Sequence, residues 1–392
     1  MAIDIIRISK VEKIFKKHGQ KFLEKVFNDQ EILHIQKKAF RAQTIAGIFS
    51  AKEAVLKEIG TGIKGNSLKD VNIFYDSKGK PFGSLFKKTF DISISHEGDY
   101  ALASALKKDE DFFEVDDFFK GLLKKRKDDS HKGDYGKLAI ISGSKGMIGC
   151  AWLASGAALR SGVGLAYLLA RQDYADALSV ISKEAIVKVF KNKEEEVEFL
   201  SGMNAILMGP GIYVDKKNRE ILTEILKMDK KVLLDASSFD LLKDNLDLLK
   251  SKADKVLTPH LGEFSKLTNI SIEEIKKNKL NLAKSFAKEQ GVVLVLKGHK
   301  TIVTDGDRLY ENHTGNPAMA KAGSGDVLSG IISALMPRIE DTFMASALGV
   351  YIHGLAGDFA AEKLGQESVL ARDLISNIYK VFKFGQNLYK DE

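Results

Sequence analysis

Apolar spacing changes along this 392-residue chain. Residues 2–8 (AIDIIRI) form a short β-branched run that reads as a strand with Asp4 inside it. A carboxylate there belongs to a sheet edge or to a function. Basic, helix-favouring stretches follow at 10–19 and 20–39. Over 42–59, Ile45, Ile48, Phe49, Val55, Leu56 and Ile59 recur three and four apart, which predicts an amphipathic helix ended by Gly60-Thr61-Gly62. Strands are predicted at 71–75, 90–94 and 100–106, with a turn at Ser77-Lys78-Gly79.

From about residue 116 the rhythm alternates. Compact apolar runs at 138–142, 205–208, 232–235, 255–258 and 292–296 read as buried strands, and 301–304 pairs back through a turn near Gly298. Helices are predicted at 148–160, 326–335 and 342–364. Alternation of this kind implies a mostly parallel sheet with helices on both faces, and ligands bind at the carboxyl ends of such strands. Gly211, His260, Lys297 and the Gly323-Ser324-Gly325-Asp326 loop all fall there. The acidic stretch 109–117 reads as a linker and 118–125 as a helix, so two domains are expected, 1–112 and 113–392.

Composition narrows the setting. A content of 44% hydrophobic and 29% charged residues fits a globular protein. No apolar run reaches membrane-spanning length, and Asp4 and Arg7 interrupt the N-terminus where a signal peptide would be apolar. Cys150 is the single cysteine, which excludes an intrachain disulfide and points to a reducing cytoplasm. Charge is uneven: residues 1–108 hold 20 basic against 12 acidic side chains, leaving 40 against 41 for the remainder. The basic excess predicts an acidic partner for the first segment.

Candidate chemistry centres on Gly315 to Gly330, GNPAMAKAGSGDVLSG. A glycine-flanked helix start leaves amides free and adds positive dipole character, which suits a phosphate. Asp326 stands beside it as a possible base; the commoner role of Ser324 or Asp326 is a helix cap. In the first segment Lys52 falls inside the apolar stripe and Glu53 borders it. Spacing alone favours a snorkelling Lys52 and a Glu53–Lys57 pair over a metal carboxylate with two phosphate-binding lysines. Met147 and Cys150 read as packing residues, and His96 and His260 taken singly as structural.

The blocks AIDII, FSAKEAVLKEIGTG, GKP and SISH...YALA, in this order over nearly all of 1–108, resemble holo-acyl-carrier-protein synthase. The resemblance implies an α+β phosphopantetheinyl-transferase-like domain that moves the 4′-phosphopantetheine of coenzyme A to a serine of acyl carrier protein. It places Asp4 and Glu53 as Mg²⁺ carboxylates, Glu53 also as base, and Lys52, Lys57 and His96 near the coenzyme. It further implies a homo-oligomer with the site between protomers, and an acidic carrier protein rather than nucleic acid on the basic surface. Two residues depart from the pattern: Ala2 stands for a glycine and Ile48 for an arginine.

The second segment carries SHKGDYGKLAIISGSKG, MGPGI, LTPHLGEF, LKGHKT, NPAMAKAGSGDVLSGII and GVYIHGLAGD. Together they resemble the ADP/ATP-dependent NAD(P)H-hydrate dehydratase family over about 130–375. A ribokinase-like three-layer α/β/α fold is implied, with repair of the 6S hydrate of NADH or NADPH: phosphoryl transfer from ADP or ATP to the ring hydroxyl, then loss of phosphate. Asp326 is the implied base. Gly323, Ser324 and Gly325 hold the transferring phosphate, and Lys297, Gly298, His299, Lys300 and Thr301 cradle the nucleotide. Ala151, Gly211 and His260 line the hydrate pocket, and Glu263 helps place a metal. Ala318, the Lys321-Ala322 pair and Ser237 depart from the family pattern, and Lys321 is placed where it would touch nucleotide preference. The competing readings are a small-molecule kinase in the second half, or one half acting as an inactive docking module.

Overall fold

The computed structural model describes residues 1–60, 67–75, 79–85, 88–107 and 113–390. Thr61-Gly62 and Ser77-Lys78, parts of two expected turns, lie outside them. The chain divides into two compact units, Met1–Glu114 and Val115–Glu392.

The first unit is an antiparallel five-stranded sheet in the order Ala2–Arg7, Tyr100–Lys107, Lys88–Glu97, Pro81–Leu85, Val71–Tyr75. The helix Ala42–Glu58 covers one face and buries Ile45, Ile48, Ala51, Val55 and Leu56. Three shorter helices, Ile8–His18, Gln20–Val26 and Asp29–Lys37, fill the expected helical stretches. The strand Pro81–Leu85 was not anticipated, because its proline and glycine read as a breaker; it pairs beside the end strand of the sheet. Alternation along Ala2–Arg7 decides where Asp4 goes. Ala2, Asp4 and Ile6 are part-buried while Ile3 and Ile5 stay exposed, so Asp4 lies at the sheet edge on the helix-covered side.

Lys52 corrects an expectation. It neither snorkels nor offers its charge to a phosphate, because its side chain is fully buried. Its Nζ lies 2.7 Å from Glu31 Oε2 and donates to the carbonyls of Leu68 and Val71. Glu31 in turn accepts from the Asn28 and Ile73 amides. Burial outweighs their attraction and pushes both groups towards neutrality, Glu31 upward and Lys52 downward. The pair ties two helices to the strand Val71–Tyr75.

The second unit holds a nine-stranded sheet. Its order is Leu309–Glu311, Ile302–Thr304, Val293–Leu296, Asp254–Leu257, Lys231–Leu234, Ala205–Met208, Lys137–Ile141, Leu165–Leu169, Ile186–Lys188. All run parallel from Val293–Leu296 onward; Ile302–Thr304 is antiparallel to both of its neighbours, Val293–Leu296 and Leu309–Glu311. Ile206, Met208, Val232, Leu234 and Leu257 pack under Lys216–Lys227, Leu261–Thr268 and Lys279–Gln290 on one face. Ile148–Arg160, Ser324–Leu335, Thr342–Leu364 and Ala371–Phe384 pack together in the other helical layer. This is the expected ribokinase-like α/β/α arrangement. The expected helix 118–125 is instead a single 3₁₀ turn, Asp117–Phe119, because Phe119 is used as a buried plug among Phe118, Tyr310 and Tyr351. Among the described residues no helix is long and apolar enough to cross a membrane.

Removing the cation of the buried pair strands a carboxylate. Lys52→Met is expected to cost about 3–5 kcal/mol of unfolding free energy in urea denaturation of the chain, whereas the exposed control Lys69→Met should change it by under about 0.5 kcal/mol.

Candidate functional site

In the second unit the parallel strands deliver their carboxyl ends to one rim. Asp235 follows Lys231–Leu234, His260 lies beyond Asp254–Leu257, and Lys297 follows Val293–Leu296. Lys297 Nζ lies 2.8 Å from Asp235 Oδ1 and 3.8 Å from Glu263 Oε2. Burial would lower the Lys297 pKa, but the Asp235 and Glu263 carboxylates outweigh it and the net shift is upward. Asp235 is buried, and its second oxygen accepts from Ser329 Oγ at 2.6 Å. Its backbone runs so close to Gly209 that an added Cβ there would meet the Asp235 carbonyl at 1.7 Å. That contact requires the glycine of the MGPGI turn.

Ser329 belongs to the helix Ser324–Leu335, which begins after Gly323 at φ 89°. No side chain caps this start, so the capping role open to Ser324 and Asp326 is not used. The Gly325 and Asp326 amides have no hydrogen-bond partner among the described residues. Ser324 turns to His353, whose Nε2 donates to the Ser324 carbonyl at 2.9 Å. That bond fixes the protonated nitrogen of a ring that burial pushes down to about 4. An added Cβ on Gly325 would sit 3.4 Å from Lys297 Nζ, so the ammonium overlooks the free amides.

Asp326 stands in the first turn. Burial first, then the Asp235 charge, raises its pKa to about 6, against the hydrogen bond from Cys150 and the Lys297 charge. Cys150 is itself pushed up to about 12 by burial and by Asp326, so it stays a thiol and donates. The same sulfur backs onto Gly211, and Ala151 is buried behind Gly143. A half-buried carboxylate, two free amides at a helix start and a held ammonium are brought together here, a set of groups suited to abstracting a proton beside a phosphate.

Several expected residues have other partners. His260 caps the helix Leu261–Thr268, accepting from the Gly262 and Glu263 amides while Glu263 accepts from the His260 amide. Gly298 and Thr301 bond to each other and close their turn. Lys300 pairs with Glu311 at 3.4 Å, and His299 is exposed. Lys321 is exposed and donates to the Glu367 carbonyl. Asp235 entered the sequence reading only as the end of the run 232–235, Cys150 only as the single cysteine and a packing residue, and His353 only inside a motif. Asp235 and Cys150 were signalled only by position, at a strand end and in a first helical turn; His353, in the middle of the helix Thr342–Leu364, had no local signal.

In the first unit, Lys57 Nζ reaches Asp4 Oδ1 at 2.8 Å rather than pairing with Glu53. Glu53 lies close enough to Asp4 that burial and the Asp4 charge together raise its pKa, with Lys57 opposing. Two adjacent hard-oxygen carboxylates suit Mg²⁺, which takes one or two protein carboxylates and completes its shell with substrate phosphates and water. His96 Nε2 donates to the Gln43 carbonyl at 3.0 Å and rests on Gly47.

Comparison with known proteins follows this division. Residues 138–380 match the family model described as NAD(P)H-hydrate dehydratase. The chain belongs to the NAD(P)H-hydrate dehydratase family. Residues 1–105 match the model of the 4′-phosphopantetheinyl transferase superfamily. The ADP-dependent (S)-NAD(P)H-hydrate dehydratase of Bacillus subtilis is 31% identical over 69% of this chain and 98% of that protein. The bifunctional NAD(P)H-hydrate repair enzyme of Coxiella burnetii is 34% identical over 66% of this chain and 52% of its own length. The chain thus spans about half the length of the bifunctional relatives it matches. Among solved structures, an ADP/ATP-dependent dehydratase from B. subtilis co-crystallised with ATP and Mg²⁺ covers 67% of this chain and 94% of its own, with 29% identity and TM-score 0.59. A ribokinase-like superfamily protein from Enterococcus faecalis covers 69% and 95%, with 27% identity and TM-score 0.62.

Cys150→Ala removes a donor that favours the Asp326 carboxylate. The Asp326 pKa should therefore rise above about 6, by about one unit for one hydrogen bond, measured by carboxyl-carbon NMR titration.

Proposed function

We propose that the second unit restores NAD(P)H from its 6S hydrate using ADP or ATP, and that the first unit transfers 4′-phosphopantetheine from coenzyme A to acyl carrier protein. One observation carries the dehydratase reading: a half-buried carboxylate whose pKa is raised to about 6 lies in the first turn of a helix whose Gly325 and Asp326 amides are free, under the Lys297 ammonium. Membership of the family supports it.

In this reading Asp326 accepts the hydroxyl proton of the hydrate as that oxygen attacks the terminal phosphorus of the nucleotide. The bond to the leaving phosphate breaks, and AMP or ADP departs. The Gly325 and Asp326 amides and Lys297 meet the negative charge on the transferring group. The phosphorylated carbon then loses inorganic phosphate while the adjacent ring carbon gives up a proton, and the double bond returns. Gly211 and Ala151 shape the wall beside the base, Gly298 and Thr301 hold the turn that presents Lys297, and His299 and Lys300 lie on the same loop towards the nucleotide. The first Asp326 step needs the carboxylate, so turnover should fall as pH drops through about 6.

For the first unit, Glu53 takes the proton of the carrier serine and Lys57 lies beside the phosphates, while Lys52 holds the helix from within. Bound between Asp4 and Glu53, Mg²⁺ would neutralise charge on the coenzyme pyrophosphate. The exposed apolar face of Ile3, Ile5, Leu102 and Leu106 supports assembly into a homo-oligomer, and a cytoplasmic setting fits both substrates.

The test is a spectrophotometric assay with hydrated NADH, Mg²⁺ and ADP or ATP. Asp326→Asn should lower the return of reduced nicotinamide by about 10²–10⁴-fold with little change in nucleotide affinity. A phosphorylated product without reduced nicotinamide would instead indicate a small-molecule kinase. Asp4→Ala should abolish the mass gain of acyl carrier protein incubated with coenzyme A, and leave hydrate repair intact. Equal carrier modification by both chains would sink the transferase assignment.

A further inference from the structure

A cavity of about 500 Å³ opens where the helices Ile148–Arg160 and Ser324–Leu335 end. Both helices begin at the candidate active site, near Cys150 and at Ser324. Their lengths of 13 and 12 residues set the two places apart by roughly 18 Å. Arg126, Arg160, Arg338 and Lys383 line the cavity with the rings of Tyr379, Phe382 and Tyr389, and no acidic side chain lines it among the described residues. The arginine ion pairs among the described residues belong to Arg171 and Arg308, and none to these three.

Two of the guanidinium groups are aimed. Arg126 Nη2 donates to the Gly162 carbonyl and Arg338 Nη1 to the Ser161 carbonyl, each at 2.7 Å. Both close over Gly162, where an added Cβ would lie 2.6 Å from Arg338 Nη1 and 3.3 Å from Arg126 Nη2. Burial, aided by the Arg126 charge, draws the Arg338 pKa down. Helix-end capping accounts for part of this arrangement. Two helix C-termini carry about half a negative charge each, which together offset about one of the three guanidinium groups.

We propose that this cavity is a second anion site that takes a small phosphate ester bearing a planar ring. The guanidinium forks match phosphate oxygens in pairs. The rings of Tyr379, Phe382 and Tyr389 offer aromatic surface against which a planar ring can pack. The volume lies in the range of small-molecule pockets. The site is separate from Asp326 and does not depend on the dehydratase reading.

Calorimetric titration of the full chain with phenyl phosphate and with inorganic phosphate tests it. Phenyl phosphate should bind, more tightly than inorganic phosphate and more weakly as salt rises. Arg126→Gln and Arg160→Gln, both exposed positions, should each weaken it by about tenfold without altering hydrate turnover. Arg338→Gln should do the same, but it also loses the Ser161 bond, so the two exposed variants decide. Failure of phenyl phosphate to bind, or equal binding to both variants, would overturn the proposal. Equal affinity for inorganic phosphate would overturn the part given to the rings. Binding that appears only in a variant ending at Lys390 would assign the cavity to the chain's own terminal carboxylates, and overturn it too.

Discussion

The larger unit depends on the contact between Lys297 and Asp235. The two residues end strands with Asp254–Leu257 between them, so their 2.8 Å pair pulls the carboxyl-end rim together across a third strand. The other oxygen of Asp235 takes Ser329, which anchors the helix Ser324–Leu335 to that rim one turn after Asp326. A single carboxylate therefore holds the cation, places the helix start and raises the pKa of the base. Its charge also sets a competition. On the proposed reading, a phosphate at the free amides would share Lys297 with Asp235, which keeps the ammonium oriented towards the rim.

The first unit uses two lysines of one helix in opposite ways. Lys52 and Lys57 are five residues apart, about 140° around the helix axis. One faces the core and meets Glu31; the other faces the sheet edge and meets Asp4. Charge type alone did not separate them. The buried pair is satisfied on every side by backbone groups, so it serves the fold. The edge pair leaves Asp4 oxygen and the neighbouring Glu53 open to further coordination. The proposed metal role falls to the carboxylates that burial leaves incompletely paired.

Much of the architecture was legible in the sequence because it rests on short-range pattern. The runs at 205–208 and 71–75 and the helices at 148–160 and 342–364 stand where apolar periodicity put them. Pro81–Leu85, broken by a glycine, and the three-residue strands Ile186–Lys188 and Leu309–Glu311 were missed, as was Leu165–Leu169, for which neither reason holds. The helix expected at 118–125 failed because the apolar spacing there serves an aromatic plug. The candidate base and lysine were visible as residues in motifs. What joins them was not, because Asp235, Lys297 and Ser329 are 62 and 94 positions apart in pairs and meet only through strand order. Cys150 was hidden for the same reason. A lone thiol gives no local sign that a carboxylate will lie against it.

Charge counting needs the same correction. The basic excess of the first segment includes Lys52, which is buried, and Lys57, which is paired, and neither is offered to a partner. The charge that can act at a distance lies on exposed side chains of the short helices, such as Lys10, Lys13, Lys17, Lys21 and Lys25. These surround the sheet edge that carries Asp4 in sequence order but differ from it in kind: they are solvated, mobile in rotamer and screened by salt within about 8–10 Å. Such charges speed encounter with an acidic partner more than they hold it.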